Sequence, residues 1–488
     1  IRDNIIDSRT TRIITRSGVV TNINNLRKVQ AEKSKSIIIM NSAASWQSNE
    51  ECKLADALVL KSIMSIIATC ELEKHPPIVC EIHSDRDREL AENISTGTVK
   101  ALNEVSVLSR MIAQLALSRN GLSVVYSDMV GFDGNEFYFF QPEKGWGGPL
   151  TFSDSINRFK SSTPMGIHFS NGDIKLNPPG DTKITDEDDL IVFAEDDSTI
   201  FYSNEPIYEP KIKKLPEVDS KLRKQRIALL NWTTKSGIIM EKICTYVPSG
   251  SEIILYDIKI NKEMKKLLDN LRDKYSDLKL EIHEIDLNDL ATLKTITPQN
   301  FDSILILSPG GNTIEEMDAY VISLLIRLRQ VLRENGSKKW PKLITEVMDS
   351  ENIDIILNSG VEDFMVSNQF VSQIMAQVSE EPLALDVYDD LFQAQVSELY
   401  IKPAKYYFSF ENNENINISY GECSQAAQLR NEVCLGIQLQ SDQSNRDKSF
   451  GVNLILEIES TTVNGKFVSP FGKFFSRNGD IFVFIIKF

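Results

Sequence analysis

The chain has 488 residues, with 53 basic against 69 acidic side chains and a formal net charge of −16. At about 100–200 residues per domain, this length predicts two to four units, and a 42% hydrophobic fraction is enough to build their cores. An acidic balance with no basic run excludes a nucleic-acid-binding surface, which needs a concentrated positive footprint. Six cysteines in this length make no disulfide framework, which points to a reducing compartment.

No stretch approaches the ~18–20 uncharged apolar residues of a membrane-spanning helix. The first residue is not Met, and the chain opens directly on a helical pattern of Ile1, Ile5 and Ile6 with no leader signal. The sequence therefore reads as a piece of a larger polypeptide.

The first third alternates strand and helix signals. Arg12–Thr15, Ser36–Met40 and Pro77–Glu81 are short β-branched runs of buried-strand type, and the apolar spacing predicts helices over Cys52–Ile67 and Val99–Leu117. Strands parted by such helices make βαβ units and a parallel sheet. From about Asn120 the pattern changes to strands at Phe137–Phe140, Gly166–Phe169 and Leu190–Ala194, with one short helix near Phe152–Phe159. This is a small α+β unit. Ser203–Lys224, with three prolines and no apolar period, reads as a linker.

The same pair of patterns then restarts. Strands are expected at Arg226–Leu230, Glu252–Tyr256, Leu280–Ile285, Ser303–Leu307 and Leu343–Val347. Helices are expected at Gly237–Tyr246, Lys262–Tyr275, Glu315–Arg333, Ser367–Gln377 and Leu383–Leu391. Further strands close the chain at Glu398–Ile401, Cys434–Leu439, Val452–Ile458 and Asp480–Lys487. The predicted organisation is an α/β domain at 1–118, a small α+β domain at 119–202 and a linker at 203–224. A second α/β domain at 225–378 and a second small α+β, β-rich domain at 379–488 follow. It is an architectural duplication with almost no retained identity, and right-handed crossovers make each larger unit a doubly wound, Rossmann-like sheet.

Such a sheet raises the question of a dinucleotide. The glycine fingerprint must follow the first strand, because its glycines let the backbone approach a pyrophosphate. In the second α/β unit that turn is Asn231–Gly237, where only the last glycine remains and Trp232 would crowd a diphosphate. Asp257 stands where a ribose-binding acid would, but also where a turn or N-cap acid commonly sits. NAD is therefore disfavoured in the second unit; in the first, the strand that would carry the glycines is absent from the sequence.

Catalytic signals are scarce. His75, His83, His168 and His283 have no zinc-site spacing, and His83 and His283, on strands or strand ends, read as packed or surface residues. There is no C-x-x-C pair and no G-x-S-x-G elbow, so the sequence does not read as an enzyme.

Acidic clusters remain. Asp186–Asp189 precedes one strand, and Glu195, Asp196 and Asp197 follow it. Glu50, Glu51 and Asp56 follow the Ser36–Met40 strand, at the edge where ligands bind in such sheets. Oxygen-rich clusters suit Ca²⁺ or Mg²⁺, whereas the alternative reading is a solvated turn, and no EF-hand spacing is present.

Several stretches bring a family into view. They include Arg12–Gly18, Lys33–Met40, Gly131–Tyr138, Lys175–Pro179 leading to Asp188–Asp197, Phe301–Leu307 and Glu362–Asn368. Leu391-Phe392, Glu398–Ile401 and Pro403-Ala404 continue the order. Together they resemble the tandem RCK (regulator of potassium conductance) gating-ring region of the CASTOR/POLLUX ion-channel family. The resemblance implies two Rossmann-like RCK domains, each followed by a small α+β domain of TrkA-C type. It implies a tetrameric ring of eight RCK domains at the soluble face of a membrane: an organellar membrane, the nuclear envelope or the plasma membrane. A transmembrane pore region and the first strand–helix–strand would lie upstream of Ile1. Ca²⁺ is the ligand it suggests, with Glu195, Asp196, Asp197, Glu50, Glu51 and Asp56 as candidate ligands. Asn231 departs from a glycine that the family tends to keep, and the last hundred or so residues diverge. A non-conducting scaffold subunit with the same fold is the alternative.

Overall fold

The computed structural model describes residues 12–438 except 71–74, 96, 119–121, 133, 161, 208–213, 218–222, 312, 337–339, 359–362, 393–396 and 410–415, followed by strand residues 452–453, 461–463, 466–468, 473–476 and 481–487. The chain divides into two compact units. One is Ile1–Glu104 with Met375–Pro382, and the other is Val105–Ile374 with Leu383–Phe488.

The first unit runs α1 (Ile23–Lys28), β1 (Ile37–Ile39), α2 (Asn49–Thr69), β2 (Ile78–Glu81), α3 (Asp85–Ile94) and β3 (Val99–Leu102). Its strands are parallel in the order β1-β2-β3, with Ile37 opposite Ile78 and Ile78 opposite Val99. Every residue of β2 is buried, as expected of a central parallel strand covered on both faces. α2 starts on a capping box in which Ser48 and Glu51 satisfy each other's backbone amides. Its inner face, Val59, Ile63 and Ile66, packs with Ile78, Cys80 and Val99 to form the core.

Two expectations fail here. Arg12–Thr15 is irregular, with Ile14 exposed; β-branched residues make a strand only where a neighbouring strand supplies the ladder and the packing. Val99–Leu117 is not one helix but β3 followed by α4 (Glu104–Leu117). Buried apolar residues on both sides of Asn103 hide the break, because a fully buried strand has no period of its own.

The second unit continues from α4 with α5 (Leu122–Val130) and a small module of β4 (Glu136–Phe140), β5 (Leu150–Thr151), α6 (Phe152–Ile156), β6 (Thr163–His168), β7 (Ile174–Leu176), β8 (Lys183–Ile184) and β9 (Asp189–Ala194). Here the antiparallel sheet β4-β9-β6-β7 stands beside the pair β5-β8. Next come β10 (Arg226–Leu230), α7 (Ser236–Tyr246), β11 (Glu252–Asp257), α8 (Lys262–Lys274), β12 (Lys279–Glu284) and α9 (Leu290–Thr295). β13 (Ser303–Ile306), α10 (Ile314–Glu334), β14 (Lys342–Val347), α11 (Ile353–Asn358), β15 (Asp363–Val366), α12 (Ser367–Glu380) and α13 (Ala384–Phe392) follow. The sheet is all parallel in the order β12-β11-β10-β13-β14-β15, the doubly wound arrangement. Last come β16 (Ser397–Pro403), β17 (Ile416–Ser419), α14 (Tyr420–Gln428), β18 (Glu432–Gln438) and β19 (Val452–Asn453), then β20 (Thr461–Val463), β21 (Lys466–Val468), β22 (Lys473–Ser476) and β23 (Ile481–Lys487). Much of the expected linker, and residues 454–458 of the expected strand, lie outside the described residues.

The duplication is metrical. β1-α2-β2-α3-β3-α4-α5-β4 repeats as β13-α10-β14-α11-β15-α12-α13-β16. α2 and α10 each have 21 residues, α4 and α12 each 14, and α5 and α13 each 9. The fold is tandem α/β, each copy followed by a small α+β module; β1-β2-β3 match the β13-β14-β15 half of the six-stranded sheet.

Candidate metal centre

Parallel strands bring all their C-terminal ends to one edge of a sheet. At that edge of the first unit, β2 ends on Glu81 and the chain turns through Ile82, His83 and Ser84; β3 gives way to Asn103, and Glu104 opens α4. One nitrogen of His83 and one carboxylate oxygen each of Glu81 and Glu104 lie within 4.8 Å of one another. Both glutamates are buried, at 7% and 5% exposure. Burial pushes the Glu81 carboxyl above its ordinary range and the Glu104 charge pushes it further, while the Asn41 amide pulls it back. The Ser45 hydroxyl donates to Glu104 Oε1 at 3.1 Å.

The His83 ring has a defined tautomer. Its Nε2 lies 3.0 Å from the Ala43 carbonyl oxygen, which can only accept, so Nε2 carries the hydrogen. In the neutral ring Nδ1 is then a bare lone pair, and this atom is buried with no hydrogen-bond partner among the described residues.

A polar frame holds these groups. Asp56 Oδ1 accepts the His83 amide at 3.1 Å and the Asn41 side-chain amide at 2.8 Å, and Oδ2 accepts the Ser84 amide at 3.1 Å. The Asn41 backbone amide donates to Glu81 Oε2 at 3.2 Å. Asn103 Nδ2 donates to the His83 carbonyl at 3.1 Å.

The second sheet repeats this frame with other occupants. Strand pairing aligns Ile37 with Ile78 in one copy and Ile304 with Leu343 in the other, which makes Glu346 the counterpart of Glu81. Asp318 is the counterpart of Asp56: it accepts the Met348 amide at 2.8 Å and the Asp349 amide at 2.9 Å. The Ser308 amide reaches Glu346 Oε2 at 3.3 Å as the Asn41 amide reaches Glu81. Here, however, the carboxylate meets the Lys235 ammonium at 2.5 Å and the Ser367 hydroxyl at 2.8 Å. Burial drives the Glu346 carboxyl upward, but Lys235, Ser367 and the Ser308 amide outweigh it and hold it below its ordinary range. Met348 stands where the first copy has His83, and Ser367 where it has Glu104.

The acids singled out from sequence are placed differently. Glu195, Asp196 and Asp197 are exposed on the turn after β9, where Asp196 caps the short 3₁₀ turn Asp197–Thr199 by accepting from Ser198. Glu50 is exposed, and Glu51 is taken up by the α2 cap, accepting the Ser48 amide at 3.0 Å. Asp56 is at the edge but supports its backbone. The structure brings Glu81, His83 and Glu104 together instead. The signal for them was present: an E-x-H at a strand end, at the register of Glu346 and Met348 in the repeat.

The Asn231–Gly237 turn uses its own donors. The Thr233 amide donates to Ser236 Oγ at 2.9 Å and the Lys235 amide to Thr233 Oγ1 at 3.1 Å. Asn231 itself sits at φ 76°, the left-handed region that favours glycine. A pocket of about 450 Å³ beside the turn is lined by Trp232, Thr233, Thr234, Gly237, Lys266 and Pro309, among others.

Comparison with known proteins places this geometry in context. A family profile described as "Castor and Pollux, part of voltage-gated ion channel" matches residues 105–209. The chain is 27% identical over 470 residues to "Probable ion channel POLLUX" of Oryza sativa subsp. japonica, covering 88% of this chain and 46% of that protein. It is 26% identical over 471 residues to "Ion channel CASTOR" of Lotus japonicus, covering 89% of this chain and 53% of the relative. The chain thus spans about half the length of these curated relatives. Among solved structures, the crystal structure of the GsuK RCK domain is similar at a TM-score of 0.39 and 12% identity, covering 96% of this chain and 82% of that one. The resemblance to the CASTOR/POLLUX ion-channel family extends over nearly the whole chain. No helix among the described residues is long and apolar enough to cross a membrane.

Proposed function

We propose that this chain is the ligand-sensing, gating-ring region of a cation channel of CASTOR/POLLUX type, converting the binding of Ca²⁺ into pore opening. The chain-long similarity to channels of that family supports this reading, and the duplicated α/β fold suits it. A gating ligand must bind one conformation more tightly than another, because only that difference in affinity does work on a pore. Four copies would form a ring of eight RCK domains at the soluble face of a membrane, coupled to pore helices elsewhere in the polypeptide. Of the acids suggested for Ca²⁺, Glu195, Asp197 and Glu50 stand exposed on turns or in the first turn of a helix. Light scattering on the purified chain should give the mass of a tetramer. Calorimetric titration with Ca²⁺ should show binding that weakens in Asp196→Asn and Asp197→Asn. A monomer that binds no Ca²⁺ would defeat the proposal, and unaltered binding in both variants would defeat that site.

A further inference from the structure

We propose that the Glu81–His83–Glu104 cluster binds a divalent transition-metal ion of the Zn²⁺ or Mn²⁺ class in preference to Ca²⁺. The inference stands on the cluster itself, whether or not the chain regulates a pore.

Its first support is the internal repeat. In the second sheet the buried Glu346 is answered by a cation, the Lys235 ammonium at 2.5 Å. In the first sheet the matching Glu81 is instead joined by a second buried carboxylate and a buried imidazole lone pair. The rest of the frame is kept: an aspartate holding two successive backbone amides, and a backbone amide on the glutamate. Two buried carboxylates and an imidazole lone pair converging on one point are favourable only when positive charge sits between them.

Donor chemistry sets the class of ion. Imidazole nitrogen with carboxylate oxygen suits Zn²⁺ and its first-row neighbours, whereas Ca²⁺ takes about six to eight oxygens. A ring whose other N–H is held by a backbone carbonyl is the arrangement that fixes a metal-binding histidine, and Ala43 supplies that carbonyl. Distance agrees: donors each about 2.1 Å from one ion lie up to about 4.2 Å apart, and the three donor atoms here lie within 4.8 Å of one another. A small side-chain rotation closes the difference. Asp56, Asn41 and Asn103 then act as positioning residues behind the ligands.

The test titrates the chelator-stripped chain with Zn²⁺ against a chromophoric competitor. Mn²⁺ and Ca²⁺ are titrated in separate runs, and thermal melting is followed alongside. One Zn²⁺ per chain is expected, raising the melting temperature, with Ca²⁺ at least ~100-fold weaker. His83→Gln and Glu104→Gln should each weaken Zn²⁺ by ~100-fold or more while melting cooperatively without metal. Cys52→Ser should leave Zn²⁺ binding unchanged; Cys52 is half-buried and feels the charges of Asp56 and Glu104, which makes it the thiol to exclude. Should a variant fail to fold, Co²⁺ absorption of the unmodified chain decides, since nitrogen and oxygen ligation gives visible bands without thiolate charge transfer.

Zn²⁺ affinity that survives both substitutions, or is lost in Cys52→Ser, places the ion elsewhere and overturns the proposal. Ca²⁺ bound as tightly as Zn²⁺ and indifferent to His83→Gln overturns the metal class. So does the absence of any bound metal.

Discussion

The two sheet edges present the same buried glutamate in the same hydrogen-bonded frame, yet settle its charge differently. In the second sheet Glu346 is paired internally with the Lys235 ammonium. In the first, Glu81 stands with Glu104 and His83, and its carboxyl is pushed up where that of Glu346 is held down. Frame and occupant are thus separable. Asp56 and Asp318, each at 1% exposure, hold the turn after the strand, while the residues that follow decide whether the buried glutamate meets an ammonium or a second carboxylate and an imidazole.

The sharpest way to break this contrast is to neutralise each glutamate. Glu346→Gln removes the carboxylate that the buried Lys235 ammonium meets and should cost about 3–5 kcal/mol in urea unfolding, whereas the double change Lys235→Met with Glu346→Leu should recover most of that loss. Glu81→Gln in the metal-free chain should cost less than about 1 kcal/mol or stabilise, because it removes one of two facing carboxylates. Equal losses for Glu346→Gln and Glu81→Gln, resolved by hydrogen exchange at β14 and β2, would mean that the edges do not differ in charge balance.

The frame itself should respond equally in both copies. Asp56→Asn and Asp318→Asn each leave two backbone amides facing a neutral side chain, at about 1.5–3 kcal/mol per site. The two costs should agree within about 1 kcal/mol, given their matched bonds. A large disagreement would refute the equivalence of the two aspartates.

The pH dependence separates the edges further. The Glu346 carboxyl lies below its ordinary value of 4.5 when folded. Its contribution is therefore present in full above that value and is lost as pH falls through the lower, folded one. Acid unfolding of the second unit should flatten in the double change Lys235→Met with Glu346→Leu, and an unchanged acid limb would show that the pair carries no linked proton.

The α/β repeat was legible because buried runs such as Ser303–Ile306 and the apolar spacing of helices such as Glu315–Arg333 are local signals. The junction at Asn103 was not, since β3 and α4 are both apolar across it. Asp56 was placed at this edge as a candidate ligand, whereas it accepts backbone amides there, and Glu81, His83 and Glu104 were not singled out. Glu81, His83 and Glu104 are brought together by strand order, and nothing in a single segment shows that Glu81 faces Glu104 across 23 residues of chain. His83 read as a packed or surface residue, and its ring contact with the Ala43 carbonyl, forty positions away, is not visible in any one segment.

The smallest expected effects concern how the paired helices begin, and they test one of the sequence-derived ligands. α2 starts on the full Ser48–Glu51 capping box, whereas α10 starts on the Thr313 side chain, which accepts the Glu316 amide at 3.2 Å. Ser48→Ala and Thr313→Ala should each cost about 1 kcal/mol, with Ser48→Ala the larger because it breaks both halves of a reciprocal pair. Glu51 takes its part in that pair through an oxygen that accepts both the amide and the hydroxyl of Ser48, which holds its carboxyl below the ordinary range. Glu51→Gln keeps an acceptor in the same place, so it should leave melting and Ca²⁺ titration unchanged. A tenfold or so loss of Ca²⁺ affinity in that variant, about 1.4 kcal/mol of binding, would make Glu51 a cation ligand after all and its cap a secondary role.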